Sequence, residues 1–384
     1  MDNDSFTEVS SQGWFSRIGD SIKGILFGLF LFIAAFPLLW WNEGRSVERY
    51  NSLKEGLSAV ISVAATTIDP TNNGKLIHTQ GLADTKEVLS DAVFNVSANA
   101  LKLRRTVLMY QWQENVTTDT KEEIGGSTTT EKTYSYNKGW HGNKINSNNF
   151  KRSGHNNPAM PFTSKAFQAK QVSLHAFQLT AAQVSRINNQ SELNVNDVTH
   201  PAQLAGKTMH SNGDGFYLGN TSGAPEIGDL KINFSIVLAS NISLVAQQQQ
   251  NSFSAYQTQA GGTIDLLKLG MMDAAAMFAA AQKENTLLTW GIRVGGFMLM
   301  WFGLSLIFKP LSVLGSVLPF LGNLISMGTG ILAFLITLPC TMVTIALAWV
   351  AYRPLLAGGL IAVAVISIVA MKYMPRRKMI PTKA

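Results

Sequence analysis

The sequence predicts an α-helical membrane protein with four transmembrane helices, one N-terminal and three C-terminal. A large β-rich (α+β) extracytoplasmic domain is inserted between the first two spans. Three observations carry this. Charge-free runs of 18, 43 and 18 residues occupy Gly24–Trp41, Pro310–Tyr352 and Pro354–Met371, against the roughly 20 apolar residues an α-helix needs to cross a bilayer. Between the first run and the later ones lies a polar stretch rich in Asn, Ser, Thr and Gln. A basic cluster, Lys372, Arg376, Arg377 and Lys378, follows the last run and marks a cytoplasmic flank.

In chain order, residues 1–23 read as a cytoplasmic tail and 24–41 as the first span. This run is longer than the roughly 7–15-residue apolar core of a signal peptide, and no small-x-small cleavage site follows it. Instead Trp40-Trp41-Asn42-Glu43-Gly44-Arg45 gives an aromatic belt and then abrupt polarity. The second span is assigned to 286–308 and carries Arg293 in its first two turns. A charge at that depth either snorkels to the headgroups or finds a polar partner. Residues 309–323, interrupted by Gly315, Pro319 and Gly322, suggest an interfacial or re-entrant segment. The third span is 324–351, with Pro339 inside it. The fourth is 354–371, joined to the third across Arg353 in a tight hairpin, and 372–384 form a basic cytoplasmic tail. Gly24/Gly28 and Gly291/Gly295 each have the GxxxG spacing that permits close helix packing.

The central domain, 42–285, carries mostly strand signals. Branched, aromatic and alternating positions occur in Leu57–Thr67, Asp91–Asn99, Leu103–Gln113 and Lys231–Val245. Asn72-Asn73-Gly74, Ser211–Gly215 and Thr221–Gly223 read as turns between them. Thr163–Val172 and Thr180–Asn188 fit short helices or strands, and the Ala- and Met-rich Ile264–Lys283 reads as a helix leading into the second span.

The chain is 46% hydrophobic and 14% charged, with formal net charge +7. The basic residues are not gathered on one polar module, which argues against nucleic acid. Cys340 is the single cysteine, so neither an internal disulfide nor a cysteine zinc site is available. No P-loop, GxGxxG, GxSxG or HExxH occurs. Six histidines, among them His141 and His155 in an Asn-rich segment, lack metal-ligand spacing, and Asp214 reads as a turn residue. We therefore assign no catalytic residue, cofactor or metal ligand.

Several segments together resemble the LUMA family, also called transmembrane protein 43. They are Phe36–Arg45 with Trp41-Asn42-Glu43-Gly44-Arg45, Leu103–Trp112 with Met109-Tyr110-Gln111-Trp112, and Trp140. His155-Asn156-Asn157-Pro158 follows, then Gly215-Phe216-Tyr217 and Pro225–Leu230 with Gly228-Asp229. In the apolar part, Thr289–Arg293, Met298–Leu304, Trp349 and Tyr352–Leu355 match. The resemblance is collinear over about residues 20 to 375. It implies four spans with an extracytoplasmic domain between the first two. In animals, such proteins look like organisers of the endoplasmic reticulum and inner nuclear membrane that bind other membrane proteins.

The leading functional expectation is therefore a non-enzymatic membrane scaffold whose partners are lipids, other membrane proteins and a second copy of itself. An oligomeric channel or transporter, and a membrane-lipid binding or metabolic protein, are the alternatives. Asn- and Gln-rich loops without long tails suggest a bacterial cytoplasmic membrane with a periplasmic domain, the endoplasmic reticulum or inner nuclear membrane applying in a eukaryote. Glu43 and Arg45 are expected at the span–domain junction, paired with each other or with Arg293.

Overall fold

The computed structural model describes residues 5–355, 358 and 359. Its helices are α1 (Trp14–Ala59), α2 (Ala181–Arg186), α3 (Ala274–Gly315) and α4 (Pro319–Tyr352). The main strands are β1 (Ser5–Gln12), β2 (Leu76–Asp84), β3 (Lys102–Glu122), β4 (Thr128–His141), β5 (Lys165–Gln168), β6 (Gly215–Leu218), β7 (Leu230–Val237), β8 (Ser240–Gln249) and β9 (Leu266–Leu269). The chain divides into two compact units. One contains residues up to 12, 52–121 and 128–282, and the other contains 13–51, 122–127 and residues from 283 onward.

The first unit is β-rich. Among the described residues, a nine-stranded sheet runs β1–β4–β3–β7–β6 and continues through Lys207–Ser211 and Gln203–Leu204, with β5 on β3 and Ser191–Glu192 on β7. A seven-stranded sheet is centred on β2 and β8, paired antiparallel from Ser240↔Ala83 to Gln247↔Leu76. Strand side chains alternate between faces, so β3 turns Leu103, Val107 and Met109 inward and β7 turns Leu230, Ile232 and Phe234 inward. They share one core with Ile77, Phe94, Phe216, Ile242 and Leu244. Arg105 also points inward, where its guanidinium meets Asp91 at 2.6 Å, donates to the Thr163 carbonyl and lies 5.0 Å over Phe94. A second cluster joins Leu53 of α1 and Met277, Phe278 and Ala281 of α3 to Leu76, Val245 and Ile264. Gly56 makes this approach possible, since a Cβ there would lie 2.2 Å from Ile264.

The second unit is helical. Its three long helices are each long and apolar enough to cross a membrane. Leu26, Phe30, Val294, Phe302, Leu335 and Val343 lie exposed along them, an apolar surface suited to lipid rather than water. Helices α1 and α3 cross where Gly28 meets Gly303; a Cβ on Gly28 would stand 2.6 Å from the Gly303 carbonyl oxygen. Above this crossing, Leu39 fills the space over Gly296, and Ala35, Leu39 and Met300 form a buried core. Gly24, Gly291 and Gly295 have open space at their Cα positions, so the contact uses one glycine of the first GxxxG and neither of the second. At the start of α1, Arg17 pairs with Glu122 at 2.5 Å and Trp14 donates to the Val313 carbonyl at 2.9 Å.

Several boundaries differ from the sequence reading. The first helix does not stop at Trp41 but continues through Asn42–Ala59, because the abrupt polarity marks the edge of the apolar run while Glu, Arg, Lys, Leu and Ala still favour helix. Only Ile61–Ser62 of Leu57–Thr67 is strand. Residues 309–323 form no separate segment. Helix α3 continues to Gly315, three residues turn, and α4 starts with Pro319, whose missing N–H costs nothing at a first helical position. In Ile264–Lys283 a strand comes first, and the helix begins at Ala274, where Asp273 accepts from the Ala276 N–H at 2.7 Å. Thr180–Asn188 resolves into α2, closed by a Thr180/Gln183 capping box.

Residues 5–12, expected in a tail across the membrane from the central domain, are hydrogen-bonded to β4 from Ser5↔Ser135 to Gln12↔Thr128. Their alternating Phe6, Glu8 and Ser10 suit a polar edge strand. The fourth span, 354–371, falls largely outside the described residues, and the basic tail wholly so.

Candidate functional site

Charge at membrane depth needs a partner, and α1 and α3 supply one. The Glu43 side chain is fully buried and that of Arg293 is 13% exposed. Arg293 Nε donates to Glu43 Oε1 at 2.7 Å and Nη2 to Oε2 at 2.8 Å, a bidentate pair. From α4, Trp349 Nε1 donates to Glu43 Oε2 at 2.8 Å. The guanidinium lies 4.8 Å over Trp290 and 5.7 Å from the centre of Trp349. Three helices thus meet at one carboxylate. Removing one member of such a buried pair typically costs about 3–5 kcal/mol, because the other charge is left without compensation.

The neighbours of Glu43 build outward from it. Asn42 donates to the Thr289 carbonyl at 3.1 Å. Arg45 reaches Asn285 Oδ1 and Thr289 Oγ1, both at 3.1 Å, and Asn42 Oδ1 at 3.3 Å. Asn285 in turn donates to the Ser46 carbonyl, and Thr289 to the Ser46 hydroxyl. Gly44 is required because Tyr352 lies on it; a Cβ there would stand 2.7 Å from the ring. Tyr352 also accepts from Trp40 Nε1 at 3.1 Å. Trp290 and Trp349 lie against the pair, Trp40 and Tyr352 pack together beside Gly44, and Trp41 is exposed; such amphipathic rings favour a membrane–water interface. Arg353 closes α4 through its backbone N–H to the Trp349 carbonyl, and its side chain is not drawn into the pair. Beside Arg293, a cavity of about 410 Å³ opens between α3 and α4, lined chiefly by Trp290, Phe297, Leu338, Met342, Ile345 and Trp349.

Asn285, Thr289 and Trp349 are members of this network that the sequence reading did not assign to the junction. One signal was available. Asn285, Thr289 and Arg293 are spaced by four, which sets them on one helix face.

The remaining motif residues gather elsewhere, in the β-rich unit, around Tyr110-Gln111-Trp112 of β3. Met109 is buried opposite Leu230. The buried Gln111 donates to the Asn143 carbonyl at 2.7 Å and accepts from the Ile145 N–H at 2.8 Å. Asn157 mimics a further strand residue, accepting from the Trp112 N–H at 2.7 Å and donating to the Trp112 carbonyl at 2.9 Å. His155 is buried, stacked 4.0 Å from Tyr136 and edge-on to Trp112 at 4.6 Å. Trp140 packs on Tyr110 and Tyr217.

The Pro225–Leu230 turn docks on the same strand. Gly228 donates to the Tyr110 carbonyl and Asp229 accepts from the Tyr110 N–H, both at 2.8 Å. Gly228 has φ +93° and sits against Pro158, two independent reasons for glycine. The Asp229 carboxylate takes hydrogen bonds from Tyr217 at 2.6 Å, Lys207 at 2.7 Å and the Glu226 N–H at 2.9 Å. Burial pushes the Asp229 carboxyl up, but these hydrogen bonds outweigh it and hold it below the usual carboxylate range. Burial, and then the bond to Asp229, raises the Tyr217 phenol. No group of three or more His, Cys, Asp or Glu side chains among the described residues is placed to hold a metal ion. Both clusters join backbone segments and helices through hydrogen bonds, and among the described residues Arg45 Nε is buried without a partner.

The family model described as Transmembrane protein 43 matches residues 109–354. Mouse Transmembrane protein 43 is 33% identical over 387 residues, covering 97% of this chain and 96% of its own. The human protein of that name is 33% identical over 388 residues, with 97% and 96% covered. The Transmembrane protein 43 homolog of Drosophila melanogaster is 30% identical over 347 residues, with 88% and 90% covered. No solved structure matches the chain significantly.

Because the folded Asp229 titrates below its unfolded counterpart, it contributes stability that is present above the unfolded value of roughly 3.9 and is lost as pH falls through the folded value. In urea unfolding of the full chain in neutral detergent, Asp229→Asn should lower stability near neutral pH. It should also flatten the loss of stability between about pH 5 and about pH 2. Parallel pH curves for variant and parent would contradict the assignment.

Proposed function

The chain belongs to the transmembrane protein 43 family, and on that premise we propose that it is a non-enzymatic organiser of membrane protein complexes. The observation that carries this reading is the Glu43–Arg293–Trp349 contact. A transport site that works through ionisable groups needs them free to bind and release a passenger. Here both carboxylate oxygens and two nitrogens of the guanidinium hold helices to one another. The exposed apolar faces of α1, α3 and α4 offer lipids, membrane-spanning partners or a second copy a place to pack.

The same proposal includes the fourth span at 354–371, both termini in the cytoplasm and the β-rich unit outside it, in the periplasm of a bacterium or the lumen of a eukaryotic organelle. A crossing by Gly24–Trp41 competes with the pairing of β1 on β4, since a strand shares its partner's side of the bilayer. Eight mostly exposed cross-strand pairs contribute roughly 0.2–1 kcal/mol each. The run contains eleven Leu, Ile and Phe residues, each worth about 1.5–3 kcal/mol when fully withdrawn from water. The crossing outweighs the pairing, and it also requires release of the Arg17–Glu122 pair at the start of α1.

Sidedness is read by a membrane-impermeant maleimide on a Cys340→Ala background in intact cells and in inverted vesicles. Ser10→Cys should label only from the cytoplasmic side and Ser222→Cys only from the other. Labelling of both from one side would show that β1 stays on β4 and that Gly24–Trp41 does not cross. The organiser role is tested by crosslinking in native membranes with identification of the captured proteins. A reproducible set of membrane proteins, lost with Glu43→Ala, is expected. Recovery of no partner, together with ion flux above empty liposomes for the purified protein, would replace this reading by a channel.

A further inference from the structure

The Leu103-Arg104-Arg105 motif contains two adjacent arginines with opposite fates. Alternation along β3 turns Arg105 inward to Asp91, while Arg104 and Lys102 stand on the outer face of the large sheet. Arg104 has Ser235 on one flanking strand and Ala166 on the other. These short side chains leave the guanidinium unscreened, and a cleft of about 400 Å³ opens around it. That is the size of a small-molecule site.

The lining is cationic and amide-rich. Lys102, Arg104 and Lys165 reach it together with Gln168, Asn188 and Gln190, and no carboxylate lines it. Arg104 has no hydrogen bond or ion pair among the described residues, and Lys165 Nζ rests 4.9 Å over Phe167. Lys102 is anchored by the Ser185 carbonyl at 2.6 Å and Asn188 Oδ1 at 2.9 Å, which fixes one wall. Glu192 sits beyond Ser235 on the other edge of β7 and lines the neighbouring groove with Asp214. Three cations around one small concavity without a counter-charge attract an anion, and a planar guanidinium favours an oxyanion that it can hold through two parallel bonds.

We propose that the cleft between Lys102, Arg104 and Lys165 binds a phosphate oxyanion, carried by a free phosphate compound or by a phosphodiester lipid headgroup. Calorimetric titration of the full chain in neutral detergent distinguishes the two sources, with pyrophosphate as one probe and soluble dihexanoylphosphatidylglycerol as the other. Saturable one-to-one binding of at least one probe is expected. Arg104→Gln and Lys165→Gln should each weaken it by about tenfold or more, as loss of a charge-assisted hydrogen bond does. Lys121→Gln, an exposed site away from the cleft, should leave it unchanged. Both cleft residues are exposed, so the variants should keep the parent's melting temperature. Binding of pyrophosphate alone identifies a free phosphate ligand, and binding of the lipid alone identifies a headgroup. Binding of neither probe, or equal binding by the parent and both cleft variants, would overturn the proposal.

Discussion

A carboxylate cannot be carried to the edge of a bilayer's hydrocarbon without a partner, and Glu43 has one on each neighbouring helix. Arg293 meets both of its oxygens and Trp349 shares one of them. The cost of withdrawing either ion from water is recovered only while both remain in register. That requirement sets the azimuth of α1 against α3 and the position of α4 along them. Gly44 then has to be glycine so that Tyr352 can lie on α1. Arg45, Ser46, Asn285 and Thr289 extend the same seam by hydrogen bonds. Farther along, the Gly28–Gly303 crossing brings the backbones of α1 and α3 together where no polar group remains to do so.

The β-rich unit follows a parallel logic with different chemistry. Strand β3 is the common strand against which loops are fixed. Gln111 and Asn157 supply side-chain amides where a strand would supply backbone groups. Gly228 and Asp229 bring the Pro225–Leu230 turn to Tyr110. Asp229 stays charged in a buried place because a lysine, a tyrosine and a backbone N–H all point at it. Each of these residues looks like a site residue in sequence, and each is occupied in joining one segment to another.

How much of this was legible beforehand depends on the range of the interaction. The membrane helices were legible because runs of 18 and 43 residues without a charge are too long and too apolar for a helix with one face in water. Strand β3 was legible from its branched and aromatic residues, but its inward face was not, since Arg105 and Gln111 are buried while Leu108, Tyr110 and Trp112 lie on the other face. Helix ends were not, since hydropathy reports the solvent around a helix and not its last hydrogen bond; α1 accordingly runs on to Ala59. Of the open partners for Glu43, Arg293 is 250 positions away, and no local pattern chooses it over Arg45. Strand β1 was hidden for a similar reason. Ser5–Gln12 is polar and short, and its pairing is visible only beside β4. Arg104 was visible as part of a motif, but its openness on the outer face rests on the small residues of two other strands.

The most direct test of the account is a double-mutant cycle on Glu43→Ala and Arg293→Ala, read by equilibrium unfolding of the full chain in lipid-containing micelles. Strong coupling is expected. Each single variant should lose about 3–5 kcal/mol, and the double variant should fall short of the sum by roughly 2 kcal/mol or more. Losses that add within about 0.5 kcal/mol would show that the two residues act independently and that the helices are held together by something else.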